Sequence, residues 1–185
     1  FNIQFTDKNN TLQYPHQTSW GVTTRLIGAI IMTHGDDNGL ALPPAVAPIQ
    51  AVIIPIAAHK GGVMETALKL KAELESTVRV ALDDSDNSAG WKYAEYEMKV
   101  PVRIELGPRD IENGECVIVT RHNREKTVVK LSDIVQAVEQ KLREVHDGLY
   151  KKALENRNRR TYDCKTTDEM IDAMRENGDG FIRAM

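Results

Sequence analysis

The chain has 185 residues, 41% of them hydrophobic and 28% charged, with a formal net charge of −3. That balance fits one folded domain with appendages and excludes a global basic field, so any nucleic acid must be held by local patches. No apolar run reaches the length of a membrane span, and the first residues have neither the basic region nor the apolar core of a signal peptide. The lack of an initiator Met leads us to expect a start inside a longer chain. The two cysteines, Cys116 and Cys164, lie far apart, Cys116 in an apolar run and Cys164 in a polar one. Neither a disulfide nor a zinc site is expected from them, and a reducing, cytosolic compartment fits their usage.

In chain order, residues 1–14 read as a hairpin. Ile3 and Phe5 alternate with polar residues, residues 7–10 supply the turn, and Leu12 and Tyr14 resume the alternation. Residues 17–20 suit another strand, broken by Gly21. Residues 23–32 suit a buried helix in which Gly28 and Ala29 admit a neighbouring backbone. Thr23, Thr24 and Arg25 at its head form a candidate anion site, because a helix N-terminus offers unpaired N–H groups and arginine adds a forked cation. The same residues also read as a strand, a Gly turn and a buried helix with a surface arginine. His34 suits a helix end, and Asp36 and Asp37 suit a turn. Pro43, Pro44 and Pro48 mark a stiff connection and a candidate domain boundary.

From Ile49 onward strands and helices alternate. Residues 51–56 are a continuous apolar strand of the kind buried on both faces. A plain turn through Gly61 and Gly62 leads to a helix carrying Val63, Ala67, Leu70 and Leu74, and residues 78–82 close a β-α-β unit. A short helix over residues 91–99 and a strand over residues 102–106 follow. Residues 116–120 and 127–131 pair as a hairpin with a charged tip. Ser132 is expected to cap a long helix striped by Val135, Val138, Leu142, Val145 and Leu149. A last short helix is expected around residues 167–176, capped by Thr166 or Thr167.

The clearest chemistry lies between Trp91 and Arg109, where aromatics, an acid and arginines converge. Unpaired RNA bases are read by stacking and by hydrogen bonds at their edges. A carboxylate accepts from guanine N1–H and N2–H, and an arginine donates to O6 and N7. Glu97 and Arg103 thus suit a guanine reader with Tyr93 as a stacking surface, while Arg121, Arg124 and Lys126 suit phosphates. The bland alternative is an amphipathic helix packed on the sheet, with Glu97 and Arg103 as a surface ion pair and a solvated hairpin tip. No nucleophile set stands out, and the histidines have no metal-ligand spacing.

The stretch Gln17-Thr18-Ser19-Trp20-Gly21-Val22-Thr23-Thr24-Arg25-Leu26-Ile27-Gly28 resembles the third signature motif of prolyl-tRNA synthetases, which are class II aminoacyl-tRNA synthetases. His34-Gly35-Asp36-Asp37-Asn38-Gly39-Leu40, Leu42-Pro43-Pro44, Gly90-Trp91-Lys92-Tyr93-Ala94-Glu95-Tyr96-Glu97-Met98-Lys99 and Pro101-Val102-Arg103-Ile104-Glu105-Leu106-Gly107-Pro108-Arg109-Asp110 continue the match in order. The form is that of the eukaryote- and archaeal-like branch, without an inserted editing domain. The resemblance implies an α/β fold: a mixed five-stranded anticodon-binding domain over residues 48–150. It would follow a remnant of the antiparallel catalytic domain over residues 1–47 and lead through residues 151–185 toward a further domain. It implies ATP or adenylate contacts by Arg25, Thr23, Trp20, Gly21 and Gln17, and anticodon contacts by Tyr93, Glu97, Arg103, Arg109, Asp110 and Lys126.

The first two class II motifs have no counterpart here. Ala45 stands where the family usually has Arg, and the usual Gly between Lys99 and Val100 is missing. The expectation is therefore a C-terminal fragment that keeps anticodon binding and lacks synthetase activity of its own. ATP and Mg²⁺ would serve the parent enzyme, with none bound to this chain and no metal site in it. The implied partners are tRNA(Pro), proline and ATP, within a cytoplasmic homodimer that needs no membrane. The alternative is a non-catalytic RNA- or protein-binding module built on the same domain.

Overall fold

The computed structural model describes residues 2–184; Phe1, which opens the expected hairpin, lies outside them. The hairpin itself is short, with β1 (Phe5–Thr6) antiparallel to β2 (Leu12–Gln13). Asp7 builds its turn by accepting from the backbone N–H groups of Asn9 and Thr11. Residues 17–20 do not form the expected strand. α1 (Arg25–His34) forms, yet none of its residues is buried, and nothing lies within 4 Å of where a Cβ would sit on Gly28. The expected buried helix is thus an open one. Its apolar spacing is the same whether or not a partner surface lies against it.

The core is built on a five-stranded sheet in the order β4-β3-β5-β6-β7. β3 (Ala51–Pro55) is buried along its whole length, between parallel neighbours on both sides. The unbroken apolar run reflects that position, since a central parallel strand meets packed side chains on both faces. α2 (Val63–Leu74) follows and leads to β4 (Val80–Leu82), which closes the β-α-β unit. α3 (Ala89–Glu97) begins at Ser88, whose hydroxyl accepts from the Trp91 N–H. β5 (Val102–Leu106) runs parallel to β3, α4 (Pro108–Glu112) is a single short turn, and β6 (Glu115–Thr120) and β7 (Lys126–Lys130) complete the sheet antiparallel.

One face of the sheet carries the main core. Ile53, Ile104 and Ile118 pack there against Ala67 and Leu70 of α2 and against the long helix α5 (Ile134–Arg159). Ser132 does not cap that helix. Residues 131–133 form a 3-10 turn, Asp133 is the cap residue, and the Ser132 hydroxyl donates to the Asp133 carboxylate. The buried stripe of α5 ends at Leu149, and 10 further residues continue to Arg159. Beyond lies a small unit of β8 (Thr161–Cys164), α6 (Thr167–Asn177) and β9 (Phe181–Ala184), with β8 and β9 parallel. Thr166 caps α6 as expected, accepting from the Glu169 N–H. Both cysteines are free and buried, so Cys164 is packed despite its polar neighbours. Burial pushes the Cys116 thiol up to about 12.

The other face of the sheet is covered only in part. Val52, Ile54 and Val100 form a smaller cluster with Tyr93 and Tyr96 of α3. Past β5 this face opens to solvent, and the candidate site sits there.

Candidate nucleic-acid interface

Strand periodicity sets the floor of the site. Residues two apart share a face, so Arg103 and Glu105 project from β5 on the same side. The register then lines up Arg103 with Val119 of β6, and Val119 with Lys126 of β7. One row across three strands therefore carries two cations separated by an apolar residue. α3 supplies one wall through Tyr96 and Glu97, and the hairpin after β6 supplies the other through Arg124. Together with Arg103 and Lys126 they enclose a cleft of about 200 Å³. The usual family Gly after Lys99 is not needed for this arrangement, because Glu97 and Arg103 still line the same space.

α3 is held in place by an ionic anchor. Its one buried residue is Lys92, at 3% exposure, which donates to the Asp83 carbonyl at 3.0 Å and lies 3.3 Å from the Asp83 carboxylate. Asp83 is buried as well, and also accepts from the Ser85 N–H and hydroxyl. The expected ion pair between Glu97 and Arg103 does not form. Glu97 pairs with Arg124 at 2.7 Å, and Arg103 pairs with Glu105 at 2.9 Å. Tyr93 is not an open stacking surface on both sides. The Arg103 guanidinium lies 4.5 Å from its ring centroid and covers one face. Burial, reinforced by the neighbouring Glu105 carboxylate, pushes the Tyr93 hydroxyl up to about 12.

Arg121 is not the surface cation that the sequence suggested. It is 5% exposed and donates to both oxygens of Asp36, at 2.9 and 2.6 Å, and to the Gly39 carbonyl at 3.2 Å. Asp36 is held by these bonds at about 2, below its ordinary 3.8. The turn at Asp36 and Gly39 thus docks the segment after α1 onto the edge of the cleft. Gly39 has a φ of +108° and a Cβ there would meet the Met98 side chain at 3.0 Å, so only glycine fits the close approach to the end of α3. Asp110 serves the backbone, accepting from the Gly107 N–H at 2.7 Å, and Arg109 is exposed beside it on α4. Neither lines the cleft.

Residues 50–141, which include this whole cleft, match the family model of the anticodon binding domain. Over 186 aligned positions the chain is 56% identical to the proline–tRNA ligase of Clostridium botulinum (strain Loch Maree / Type A3). It is 55% identical over 186 positions to that of Ruminiclostridium cellulolyticum. The chain belongs to the prolyl-tRNA synthetase family. Each match covers 100% of this chain and 39% of the relative, so the chain spans about two fifths of the synthetases it matches. The crystal structure of prolyl-tRNA synthetase from Cryptosporidium parvum, complexed with halofuginone and AMPPNP, matches with a TM-score of 0.89 at 38% identity. That match covers 98% of this chain and 38% of the other. All these relatives are synthetases, which leaves the alternative of a non-catalytic module without support.

The second group of expected synthetase residues lies apart from the cleft. Gln17, Trp20, Gly21, Thr23 and Arg25 are all exposed, Trp20 at 92%. Thr24 caps α1 without a side-chain bond, and the Thr23 hydroxyl accepts from the Arg25 N–H at 3.3 Å. The donor chemistry here fits a phosphate, since a helix start, a hydroxyl and a guanidinium stand together. None of the five lines a described pocket. Glu105 is the residue that sequence reasoning passed over. Its signal was available, because spacing of two along a strand places it beside Arg103.

Proposed function

We propose that this chain reads the anticodon of tRNA(Pro), within an enzyme that activates proline with ATP and Mg²⁺ and esterifies it to the tRNA terminus. The supporting observation is the convergence of Glu97, Arg103 and Lys126, from three separate elements, on one cleft in the anticodon-domain region. Three cations and two carboxylates meet there: Arg103, Arg124 and Lys126 against Glu97 and Glu105. A site so nearly balanced suits the edge of an uncharged base better than a phosphate. Glu97 accepts from guanine N1–H and N2–H once Arg124 moves to the RNA backbone, and Arg103 donates to O6 and N7. Lys126 lies at the rim, and Arg109 and Asp110 shape the approach from α4.

In this reading residues 48–150 form the tRNA-reading unit. Residues 1–47 contribute one wall of the ATP site, with Arg25 and Thr23 at the phosphates and Trp20, Gly21 and Gln17 under the adenylate. The bound nucleotide supplies the activated phosphate, and these side chains orient it. The working enzyme is a cytoplasmic homodimer. Binding of tRNA(Pro) with each anticodon guanine replaced tests the reading. Glu97→Ala is expected to lose discrimination by about 1–3 kcal/mol at one guanine. Unchanged discrimination removes Glu97 from the site.

A further inference from the structure

We propose that Glu105 is the positioning residue of this cleft: its buried carboxylate fixes the edge of Arg103 and restrains Lys126, so that both cations address a base rather than a phosphate. The inference rests on the guanine-reading function proposed above. Glu105 is 7% exposed, on a central strand, so its charge is there at a cost that must be offset by partners. Arg103 Nε donates to Glu105 Oε1 at 2.9 Å, and Arg103 Nη2 lies 2.9 Å from the same oxygen. Arg103 Nη1 donates to the Tyr93 carbonyl at 3.3 Å, and the Tyr93 ring backs the guanidinium plane. Lys126 Nζ lies 4.0 Å from the other Glu105 oxygen.

These contacts fix the orientation of Arg103. Nε and one N–H of Nη1 donate, and Nη2 lies against the same carboxylate oxygen. The N–H groups left over belong to Nη1 and Nη2, and Arg103 lines the cleft. A guanidinium so held cannot swing to a phosphate without breaking a buried ion pair. It therefore presents a fixed donor pair, as O6 and N7 of a guanine require. Glu105 also sets the charge of the site. Without it three cations face one carboxylate, and the cleft becomes a phosphate trap with little base preference.

The test uses tRNA(Pro) transcripts carrying guanine, inosine or 7-deazaguanine at each anticodon guanine, bound to the 185-residue chain over a range of salt. In Glu105→Gln, discrimination against 7-deazaguanine is expected to fall roughly tenfold, because the Arg103 edge is no longer aimed. Binding to a tRNA with an unrelated anticodon should strengthen, and its salt dependence should steepen by about 0.7 in log–log slope. Arg103→Met and the double variant complete a cycle. Glu105→Gln should cause no further loss of 7-deazaguanine discrimination in the Arg103→Met background if its aim acts through Arg103. If Glu105→Gln alone folds poorly, Glu105→Asp, which keeps the charge and draws it back from Arg103, gives the same readout: 7-deazaguanine discrimination is expected to fall, and its retention counts against the positioning role.

Retained 7-deazaguanine discrimination in Glu105→Gln, with the wild-type chain discriminating, overturns the positioning role and leaves the guanine reading intact. A loss of 7-deazaguanine discrimination in Glu105→Gln that is the same with and without Arg103 overturns it too. A wild-type chain indifferent to both analogues overturns the guanine reading and this proposal with it.

Discussion

Around the cleft, Glu97, Arg103, Arg121 and Arg124 each hold a named partner, and an apolar cluster lies beneath. Along residues 17–34, Trp20, Leu26, Ile27, Ile31 and Met32 stand open instead. Both stretches carry family motifs of similar length, yet only one has its chemistry assembled by the chain itself. The candidate cleft draws its walls from strands and a helix within 40 residues of each other in sequence, from Tyr96 to Lys126. The proposed phosphate contacts at the head of α1 have a helix start and donors, but among the described residues none of them lines a described pocket. A motif thus records where chemistry belongs, and packing decides whether a given length of chain can perform it.

The contrast breaks most sharply at the ion pair that joins the two regions. Asp36→Ala leaves Arg121 buried without its carboxylate and is expected to cost about 3 kcal/mol by denaturant unfolding. The same pair gives an acid signature. Asp36 is depressed from 3.8 to about 2, so its contribution is present above pH about 4 and is lost as pH falls toward 2. Wild type should therefore lose stability across that window more steeply than Asp36→Asn.

A smaller effect is expected inside the reading region. Lys92→Met removes the anchor of α3 and leaves the buried Asp83 without its cation, for a loss of about 2 kcal/mol. Guanine discrimination should fall with it, since Glu97 rides on the same helix. The smallest effect falls in the open region. Arg25→Ala should move the unfolding midpoint of this chain by less than about 0.5 kcal/mol, as an exposed side chain that packs against no core. A larger loss would mean that the head of α1 is held by more than its own first turn.

Much of the cleft could be read ahead of the structure. The unbroken apolar run of β3, the β-α-β unit and the β6–β7 hairpin follow from local pattern, and register then places Arg103 and Lys126 in one row. The pairing of the charges could not be read that way. Arg121 is buried because Asp36 meets it from 85 positions away, and no local pattern carries that. Glu97 chose Arg124 over Arg103 because Glu105, closer along the strand, already held Arg103. Ser132 lost its cap role to a 3-10 turn that starts the helix later. The exposure of α1 was invisible for a different reason: helical apolar spacing names the face to be covered and says nothing of what covers it.

His122 packs into the side of α5 where Gly148 leaves room, since a Cβ on Gly148 would come within 2.4 Å of the imidazole. That contact lies one residue before Leu149, where the buried stripe of α5 ends. From there a helical stretch of 10 residues to Arg159 extends about 15 Å and leads into the β8-α6-β9 unit. Its length in residues is also an angular setting. One inserted residue would turn the distal unit by about 100° while moving it only about 1.5 Å outward. Small insertions there would redirect whatever that unit carries, and the strand-borne cleft would keep its shape.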